Sequence, residues 1–240
     1  SATESSESSE TSSMQENEGT TESGQPNSSA PAENSSQPSE GSDSSKEPAE
    51  SPEPPAESSS APVIPEIAPN APDYQRKYPD LYVNPTEKVA PAKGDKVVYL
   101  TFDDGPSNLT PKILDILDTY EVKATFFVIG KSDEKSKDMM KEIVNRGHTI
   151  AVHTYTHDYR KIYASVDAYL DDFYKEFQLI YDATGVKPDI FRFAGGSVNG
   201  YNKKTVNAIV AEMERRGFTY YDWNASAGDA EYGATKASIY

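Results

Sequence analysis

The sequence predicts an α/β protein built around a parallel β-sheet. Strand-like apolar runs alternate with helical patterns about five times, and polar clusters follow the ends of the strands. Parallel strands need helical crossovers, and such sheets are either open or closed into barrels. No glycine-rich phosphate-binding fingerprint follows any strand, so a dinucleotide fold is disfavoured and barrel-like closure is expected.

The predicted elements begin after residue 95. Residues 96–102 (KVVYLTF) are the β-branched and aromatic run of a strand, and residues 110–120 carry apolar side chains at helical spacing. Thr110 suits the N-cap of that helix and Pro111 its first position, so we expect the helix to begin there. Residues 123–130 (KATFFVIG) are almost continuously apolar, which is typical of a strand covered on both faces.

The remaining elements repeat this order. Residues 133–147 predict a helix closed by Gly147, and residues 148–153 (HTIAVH) predict the next strand. A long helix is expected over 165–185, with Gly185 just past its last turn. The later segments predict a strand over 188–196, a helix over 202–217, a strand over 218–224 and the start of another helix over 235–240.

The first 60 residues differ in composition from the rest of the chain. They contain 13 Asp and Glu against one Lys, together with 20 Ser, and they have no aromatic residue and no Leu, Ile or Val. Such a segment cannot bury enough apolar surface to fold, so we predict a disordered Ser/Glu/Pro-rich tether over residues 1–72. The first 60 residues account for about −12 of the net charge of −16. The acidity therefore says little about a substrate, and it argues against a nucleic-acid partner.

A single globular domain is predicted over residues 73–240. About 165 residues are enough for one core, and the absence of Cys excludes disulfides and thiolate metal sites. No run of 18 apolar residues occurs, so no membrane span is predicted. The chain begins with Ser1, and we expect an export signal or anchor to have preceded it.

Two adjacent carboxylates, Asp103 and Asp104, stand where the first predicted strand meets Gly105 and Pro106. In parallel α/β folds the chemistry gathers at the carboxyl ends of the strands. Because Gly-Pro turns the chain sharply, the two side chains need not point to opposite faces as they would within a strand. Taken alone, the pair is explained as well by capping of a turn or a helix.

Two of the three histidines, His153 and His157, lie in the segment HTYTHDY. If a helical turn follows the strand, their i, i+4 spacing places both imidazoles on one face. Two imidazoles and a carboxylate with open positions form a catalytic type of zinc site, in which a second carboxylate acts as the base. Thr154 stands where the H-E-x-x-H proteases carry Glu, so the base must come from elsewhere. Two exposed histidines on a loop are the simpler alternative.

Four segments, TFDDGPS, HTYTH, FRFAGGS and YDWN, match one known family in order and spacing. They resemble the first four motifs of the polysaccharide deacetylase family, the NodB-homology domain, over roughly residues 96–232. The resemblance implies a distorted (β/α) barrel. It also implies metal-assisted removal of acetyl groups from N-acetylglucosamine units or from O-acetylated sugars.

The resemblance assigns roles by position. Asp104, His153 and His157 resemble the metal ligands, with zinc as the expected ion and cobalt or nickel as alternatives. Asp103 resembles the general base that takes a proton from water. Arg192 resembles the arginine that orients this base and keeps it ionised.

The third and fourth motifs imply further roles. The Gly195 N–H resembles the donor that faces the oxyanion. Trp223 resembles the wall of the acetyl pocket, although a core aromatic is the simpler explanation of this residue alone. Asp222 resembles the acid that orients a catalytic histidine, and His148 is expected to be structural. Ala194 stands where many relatives have Pro, which should loosen the turn a little.

The chain departs from the family pattern at its C-terminal end. Family members carry a fifth motif, Leu-x-His, that supplies the general acid, and no histidine of this chain is left for that role. We therefore expect a barrel that is truncated in this sequence, as part of a longer protein. A natural pseudoenzyme is the alternative.

The expected substrate is an acetylated cell-wall or surface polysaccharide, in first place peptidoglycan. The tether and the residues GDA after YDWN resemble bacterial cell-surface or extracellular members, and we expect a monomer. Four tyrosines offer stacking faces to sugars: Tyr155, Tyr159, Tyr201 and Tyr232. Two alternatives are a carbohydrate-binding domain that keeps the metal but not catalysis, and a surface spacer without a metal site.

Overall fold

A five-stranded parallel sheet organises the part of the chain that the structure describes. The structure is a computed structural model, and it describes residues 61–87, 91, 93–94, 96–230 and 233–235. The strands pair in sequence order, all in parallel. They are β1 (Thr101–Gly105), β2 (Thr125–Ile129), β3 (Thr149–Thr154), β4 (Ile190–Phe191) and β5 (Thr219–Tyr220).

Helices connect successive strands, as the sequence predicts. They are α1 (Thr110–Thr119), α2 (Glu134–Asn145), α3 (Tyr159–Ile162), α4 (Val166–Thr184) and α5 (Val206–Arg215), and a 3₁₀ turn at Asp73–Arg76 precedes β1. The predicted α/β class is confirmed. Residues 1–60 of the predicted tether and residues 236–240 of the last predicted helix lie outside the described residues.

Side-chain caps explain where two of the helices begin. The Asp133 carboxylate accepts the Ser136 N–H at the start of α2, and the Ser165 hydroxyl accepts the Ala168 N–H at the start of α4. Gly185 ends α4 in the left-handed conformation, with φ of +75°. No helix within the described residues has the length and the apolar character to cross a membrane.

Several predicted boundaries are wrong. β1 begins at Thr101 and not at residue 96, and Val98 is 82% exposed, so the start of the apolar run lies at the surface. Thr110 is the first residue of α1 and not its cap, because its hydroxyl accepts the Ser107 N–H instead. β4 and β5 have two residues each, and the chain after β4 turns at Gly195, where φ is +73°.

The core lies between the sheet and α4. Phe126, Val128, Ile150 and Val152 are buried on β2 and β3, and the apolar stripe of α4 packs against β3 and α2. The buried residues of this stripe include Tyr169, Leu170, Phe173, Phe177 and Ile180. Because each fully buried side chain of this kind contributes about 1.5–3 kcal/mol, the packing fixes the strand ends that carry the polar clusters.

Candidate active site

Asp104, His153 and His157 converge at the carboxyl ends of β1 and β3. The Asp104 Oδ1 atom lies 3.4 Å from His153 Nε2 and 3.2 Å from His157 Nε2. All three potential ligand atoms lie within 4.8 Å of one another, and Asp104 is exposed. One carboxylate oxygen and two imidazole nitrogens, open on one side, form a donor set suited to zinc or a similar divalent ion.

The backbone fixes which nitrogen His153 presents to this centre. His153 is buried in β3, and its Nδ1 atom lies 2.8 Å from the Arg192 carbonyl oxygen. A proton on Nδ1 satisfies that carbonyl and leaves the Nε2 lone pair directed towards Asp104. Burial lowers the pKa of His153, against the opposing influence of the Asp103 and Asp104 charges and of the carbonyl. The neutral ring that a metal requires is therefore favoured.

The two histidines do not lie on a helical turn, the condition under which their spacing would place them on one helix face. His153 lies within β3, while His157 lies in the loop before α3 with a left-handed φ of +52°. The His157 N–H donates to the Thr154 hydroxyl over 3.2 Å, and the centres of the two imidazole rings lie 5.2 Å apart. The histidines meet because the loop turns back, which costs about 1–2 kcal/mol of backbone energy for a residue other than glycine.

A break in the strand pairing separates the two adjacent acids. The register between β1 and β2 shifts between Asp103 and Gly105, and Asp104 between them has a φ of +66°. Asp104 faces the histidines, whereas Asp103 Oδ1 accepts a hydrogen bond from Arg192 Nη1 over 2.7 Å. The Asp103 side chain is 26% exposed, and its Oδ2 atom receives no hydrogen bond from the part of the chain that the structure describes.

Arg192 is held in one orientation. Its Nη1 atom also donates to the Thr101 hydroxyl, Nε donates to the Tyr221 carbonyl, and Nη2 donates to the Asp222 carbonyl. The guanidinium lies 4.1 Å from the centre of the Phe127 ring. Its charge is therefore fixed beside Asp103, and the contact holds the carboxylate in one orientation.

The turn after Arg192 presents a backbone donor. The N–H of exposed Gly195 makes no hydrogen bond within the described residues, and a Cβ at this position would lie 3.0 Å from the Tyr159 hydroxyl. The Ala194 carbonyl accepts hydrogen bonds from the Tyr163 hydroxyl, over 2.7 Å, and from Asn199 Nδ2. These two contacts, which we did not predict, hold the turn.

The residues of the fourth motif lie at the rim of the site. The Asp222 carboxylate accepts hydrogen bonds from the N–H and the hydroxyl of Ser197. Its implied role beside a catalytic histidine stays a prediction. Trp223 is 47% exposed, and the Arg192 guanidinium lies 5.7 Å from its ring centre. The alternative of a core aromatic is therefore wrong.

An open pocket of about 580 Å³ adjoins the histidines. Its lining consists of Thr156, His157, Asp158, Tyr159, Arg160 and Tyr201. The Tyr159 and Tyr201 rings meet edge to face, with their centres 5.5 Å apart. Two of the four predicted stacking tyrosines therefore line this pocket, and Tyr232 lies outside the described residues.

Asp172 is a further residue near the site that the sequence reasoning missed. It lies on α4 and accepts hydrogen bonds from Tyr155 and Thr156, in the loop that carries His157. The sequence does indicate that Asp172 is unusual, because Asp172 and Glu176 are acids spaced i, i+4 along the apolar stripe of the predicted helix. The neighbouring Asp171 points outward to Lys77 and Tyr78.

Comparison with known proteins decides the family. The sequence model of one family, described as polysaccharide deacetylase, matches residues 90–218, which is more than half of the chain. The chain belongs to the polysaccharide deacetylase family. A peptidoglycan-N-acetylglucosamine deacetylase from Bacillus cereus is 34% identical over 149 residues, which are 60% of this chain and 53% of that protein. The chain spans about half the length of the curated Bacillus relatives that it matches.

Solved structures of family members have the same fold. The catalytic domain of the peptidoglycan N-acetylglucosamine deacetylase from Eubacterium rectale has a TM-score of 0.59 and 38% identity, covering 64% of this chain and 72% of that one. A CE4 esterase from Streptococcus mutans has a TM-score of 0.55 and 31% identity, covering 61% and 65%. The predicted NodB-type fold, a distorted barrel in these relatives, is confirmed as the fold class.

Proposed function

We propose that this chain carries a metal-dependent deacetylase site that acts on N-acetylated cell-wall polysaccharide, in first place on the N-acetylglucosamine of peptidoglycan. The proposal rests mainly on the different contacts of the two adjacent acids. Asp104 faces two histidines, while Asp103 is paired with Arg192 and keeps one oxygen open. Peptidoglycan is named in the descriptions of the Bacillus cereus and Eubacterium rectale relatives.

The donor set fits a zinc ion, with cobalt or nickel as alternatives. Asp104, His153 and His157 would hold it, and the orientation of His153 by the Arg192 carbonyl suits Nε2 ligation. When bound, the ion supplies Lewis-acid polarisation of the acetyl carbonyl and lowers the pKa of water.

The chain's own residues supply the proton transfer and the donors. Asp103 takes the proton of the attacking water on its open Oδ2 atom, and Arg192 holds this carboxylate in place through Oδ1. The Gly195 N–H donates to the oxygen that gains negative charge as the acetyl carbon becomes tetrahedral. Trp223 offers an exposed apolar face to the acetyl methyl group.

None of the three histidines is assigned as the acid for the leaving nitrogen. His148 is buried just before β3, at the opposite end of that strand from His153, and its Nδ1 atom accepts the Ala124 N–H. Hydrolysis of an amide needs such an acid, whereas a good leaving group departs without one.

The first test therefore compares an activated ester with a glycan. The zinc-loaded full chain is assayed on para-nitrophenyl acetate and on peptidoglycan, and chelated protein is the control. We expect ester hydrolysis that disappears with chelation and returns with zinc, and much slower acetate release from the glycan, because the amide nitrogen leaves without a histidine acid. Zinc binding without hydrolysis of either substrate would contradict the proposal and favour a catalytically inactive metal- or carbohydrate-binding domain of the cell surface.

The pocket beside His157 is proposed to hold the sugars that flank the reacting unit. Tyr159 and Tyr201 offer ring faces, and the Arg160 guanidinium has no acidic partner among the described residues. Asp158 is already occupied, because Lys161 Nζ lies 3.0 Å from it and two backbone N–H groups donate to it. A free cation beside stacking rings suits the lactyl carboxylates of muramic acid.

Arg160→Gln tests this preference for an anionic glycan. We expect kcat/KM to fall roughly 2- to 5-fold on glycan strands with free lactyl carboxylates, the size of one exposed charge contact. On an uncharged N-acetylglucosamine oligomer kcat/KM should stay unchanged. Equal losses on both substrates would contradict carboxylate recognition.

The location of the protein also remains a proposal. We propose that the Ser/Glu/Pro-rich N-terminal segment extends the domain from a bacterial cell surface as a monomer. Its composition and the peptidoglycan deacetylase names of the relatives support this proposal.

A further inference from the structure

Asp172 lies outside every catalytic motif, yet it contacts the loop that carries His157. It is 7% exposed in the middle of α4. Its Oδ1 atom accepts the Tyr155 N–H over 2.6 Å, and its Oδ2 atom accepts the Thr156 N–H over 3.0 Å and the Thr156 hydroxyl over 2.6 Å. One carboxylate thus accepts hydrogen bonds from three donor groups of two consecutive residues.

The loop needs such an anchor because its conformation is not locally favoured. His157 has the left-handed φ of +52°, and its imidazole must reach across to Asp104 on another strand. On the side of β2, the Tyr155 carbonyl accepts the Gly130 N–H over 3.0 Å, and a Cβ on Gly130 would lie 2.6 Å from this oxygen. The loop is therefore clamped between the end of β2 and the carboxylate of α4.

We propose that Asp172 is a positioning residue of the metal centre, whose carboxylate fixes the Tyr155–Thr156 backbone so that His157 is oriented for ligation before the metal arrives. Hydrogen bonds from several donors to one carboxylate are strong and directional, and partners behind metal ligands commonly set metal affinity. The inference rests on the proposed metal function.

Glu176 provides a matched control on the same helix, one turn further on. It is fully buried, and neither of its carboxylate oxygens has a hydrogen-bond partner among the described residues. Burial, with a smaller contribution from the Asp172 charge, raises the pKa of Glu176 to about 9, so the side chain is neutral at pH 7. The Glu176 carboxyl group therefore makes no hydrogen bond to the loop that carries His157.

The test compares Asp172→Asn and Glu176→Gln in the full chain. Asparagine keeps the size of Asp172 but turns an NH₂ group towards donors of Thr156. Zinc affinity is measured by competition with a chelating dye, and the stability of each metal-free variant by urea unfolding. We expect Asp172→Asn to bind zinc roughly 10- to 100-fold more weakly, and Glu176→Gln to bind it as the wild type does. Wild-type affinity in Asp172→Asn would overturn the inference, as would equal losses in both variants.

Amide exchange of the metal-free protein separates positioning from overall stability. We expect fast exchange at Tyr155 and Thr156 in Asp172→Asn while the amides of β2 and β3 stay protected. Unchanged protection of the two loop amides would overturn the inference. Amide exchange needs no zinc, so it tests the anchoring of the loop even if the wild type does not bind zinc. Failure of the wild type to bind zinc would instead contradict the proposed metal function.

A milder variant covers the case in which Asp172→Asn does not fold. Thr156 is exposed, and Thr156→Val removes one donor to the carboxylate and no buried charge. We expect a loss of zinc affinity of several-fold with unchanged urea stability. Wild-type affinity in Thr156→Val would then overturn the inference.

Discussion

Two buried arginines, Arg192 and Arg216, have contrasting partners, since Arg192 lies in the candidate active site and Arg216 contacts the segment before β1. Arg192 is 3% exposed and Arg216 is 1% exposed. Arg192 pairs with Asp103, which keeps one oxygen open to the site. Arg216 pairs with Glu212, whose side chain is buried and is also bound by Arg215.

The other hydrogen bonds of Arg216 attach it to the segment before β1. Arg216 donates to the carbonyls of four residues before β1, namely Tyr74, Lys77, Tyr78 and Leu81. The Val83 N–H donates back to the Arg216 carbonyl, and Arg216 stacks on Tyr82. This cluster attaches a segment that lies before the family match, which begins at residue 90. The buried Arg216–Glu212 pair therefore lies among contacts that attach this segment, whereas the Arg192–Asp103 pair leaves Asp103 partly exposed, as the proposed base requires.

The largest difference is expected when Asp103 and Glu212 are each replaced by the corresponding amide. Asp103→Asn removes the proposed base, so we expect turnover of para-nitrophenyl acetate by the zinc-loaded chain to fall about 10²- to 10⁴-fold with zinc affinity unchanged. Glu212→Gln should leave turnover intact at a temperature where the variant is folded. Full turnover in Asp103→Asn would contradict the assignment of the base.

The two arginines are compared directly by replacement with methionine. Arg216→Met leaves four carbonyls and part of the Glu212 charge without their donor in a buried place, so we expect a loss of about 3 kcal/mol in the free energy of unfolding. Arg192→Met should cost only about 1–2 kcal/mol, because water reaches Asp103 and the exposed rim at Tyr221 and Asp222. Urea unfolding measures both, and the opposite order would contradict the comparison.

Glu176 gives a smaller, pH-dependent effect. Its folded pKa of about 9 lies above the ordinary 4.5, so between these values the native state holds a proton that the unfolded state releases. Its stabilising contribution is therefore complete below about pH 4.5 and is lost as the pH rises to about 9. From pH 6 to pH 8, the wild type should lose about 1–3 kcal/mol relative to Glu176→Gln. A constant difference in urea stability between the two proteins would show that Glu176 is not protonated in the fold.

The sequence predicted which side chains meet at the strand ends better than it predicted their backbone conformations. The spacing of Asp103-Asp104 and His153/His157 placed the chemistry at strand ends, because parallel strands share one carboxyl edge. It did not predict the left-handed backbone at Asp104 and His157, since neither residue is a glycine. For that reason it did not show that the two histidines meet without a helical turn.

Long-range anchors could not be predicted from local patterns. The contacts of Asp172 with Thr156, and of Arg216 with Tyr74, join residues 16 and 142 positions apart in the sequence. Helical periodicity shows that Asp172 lies on an apolar stripe, but the partner depends on how α4 packs on β3.

A calorimetric zinc titration of the full chain tests whether Asp104, His153 and His157 form a metal centre. Wild type, His157→Ala and Asp103→Asn are titrated in parallel, each checked for folding by circular dichroism. We expect one zinc ion to bind to wild type and to Asp103→Asn with similar affinity, and binding to be lost in folded His157→Ala. Equal affinity in wild type and His157→Ala would contradict the assignment of the metal centre.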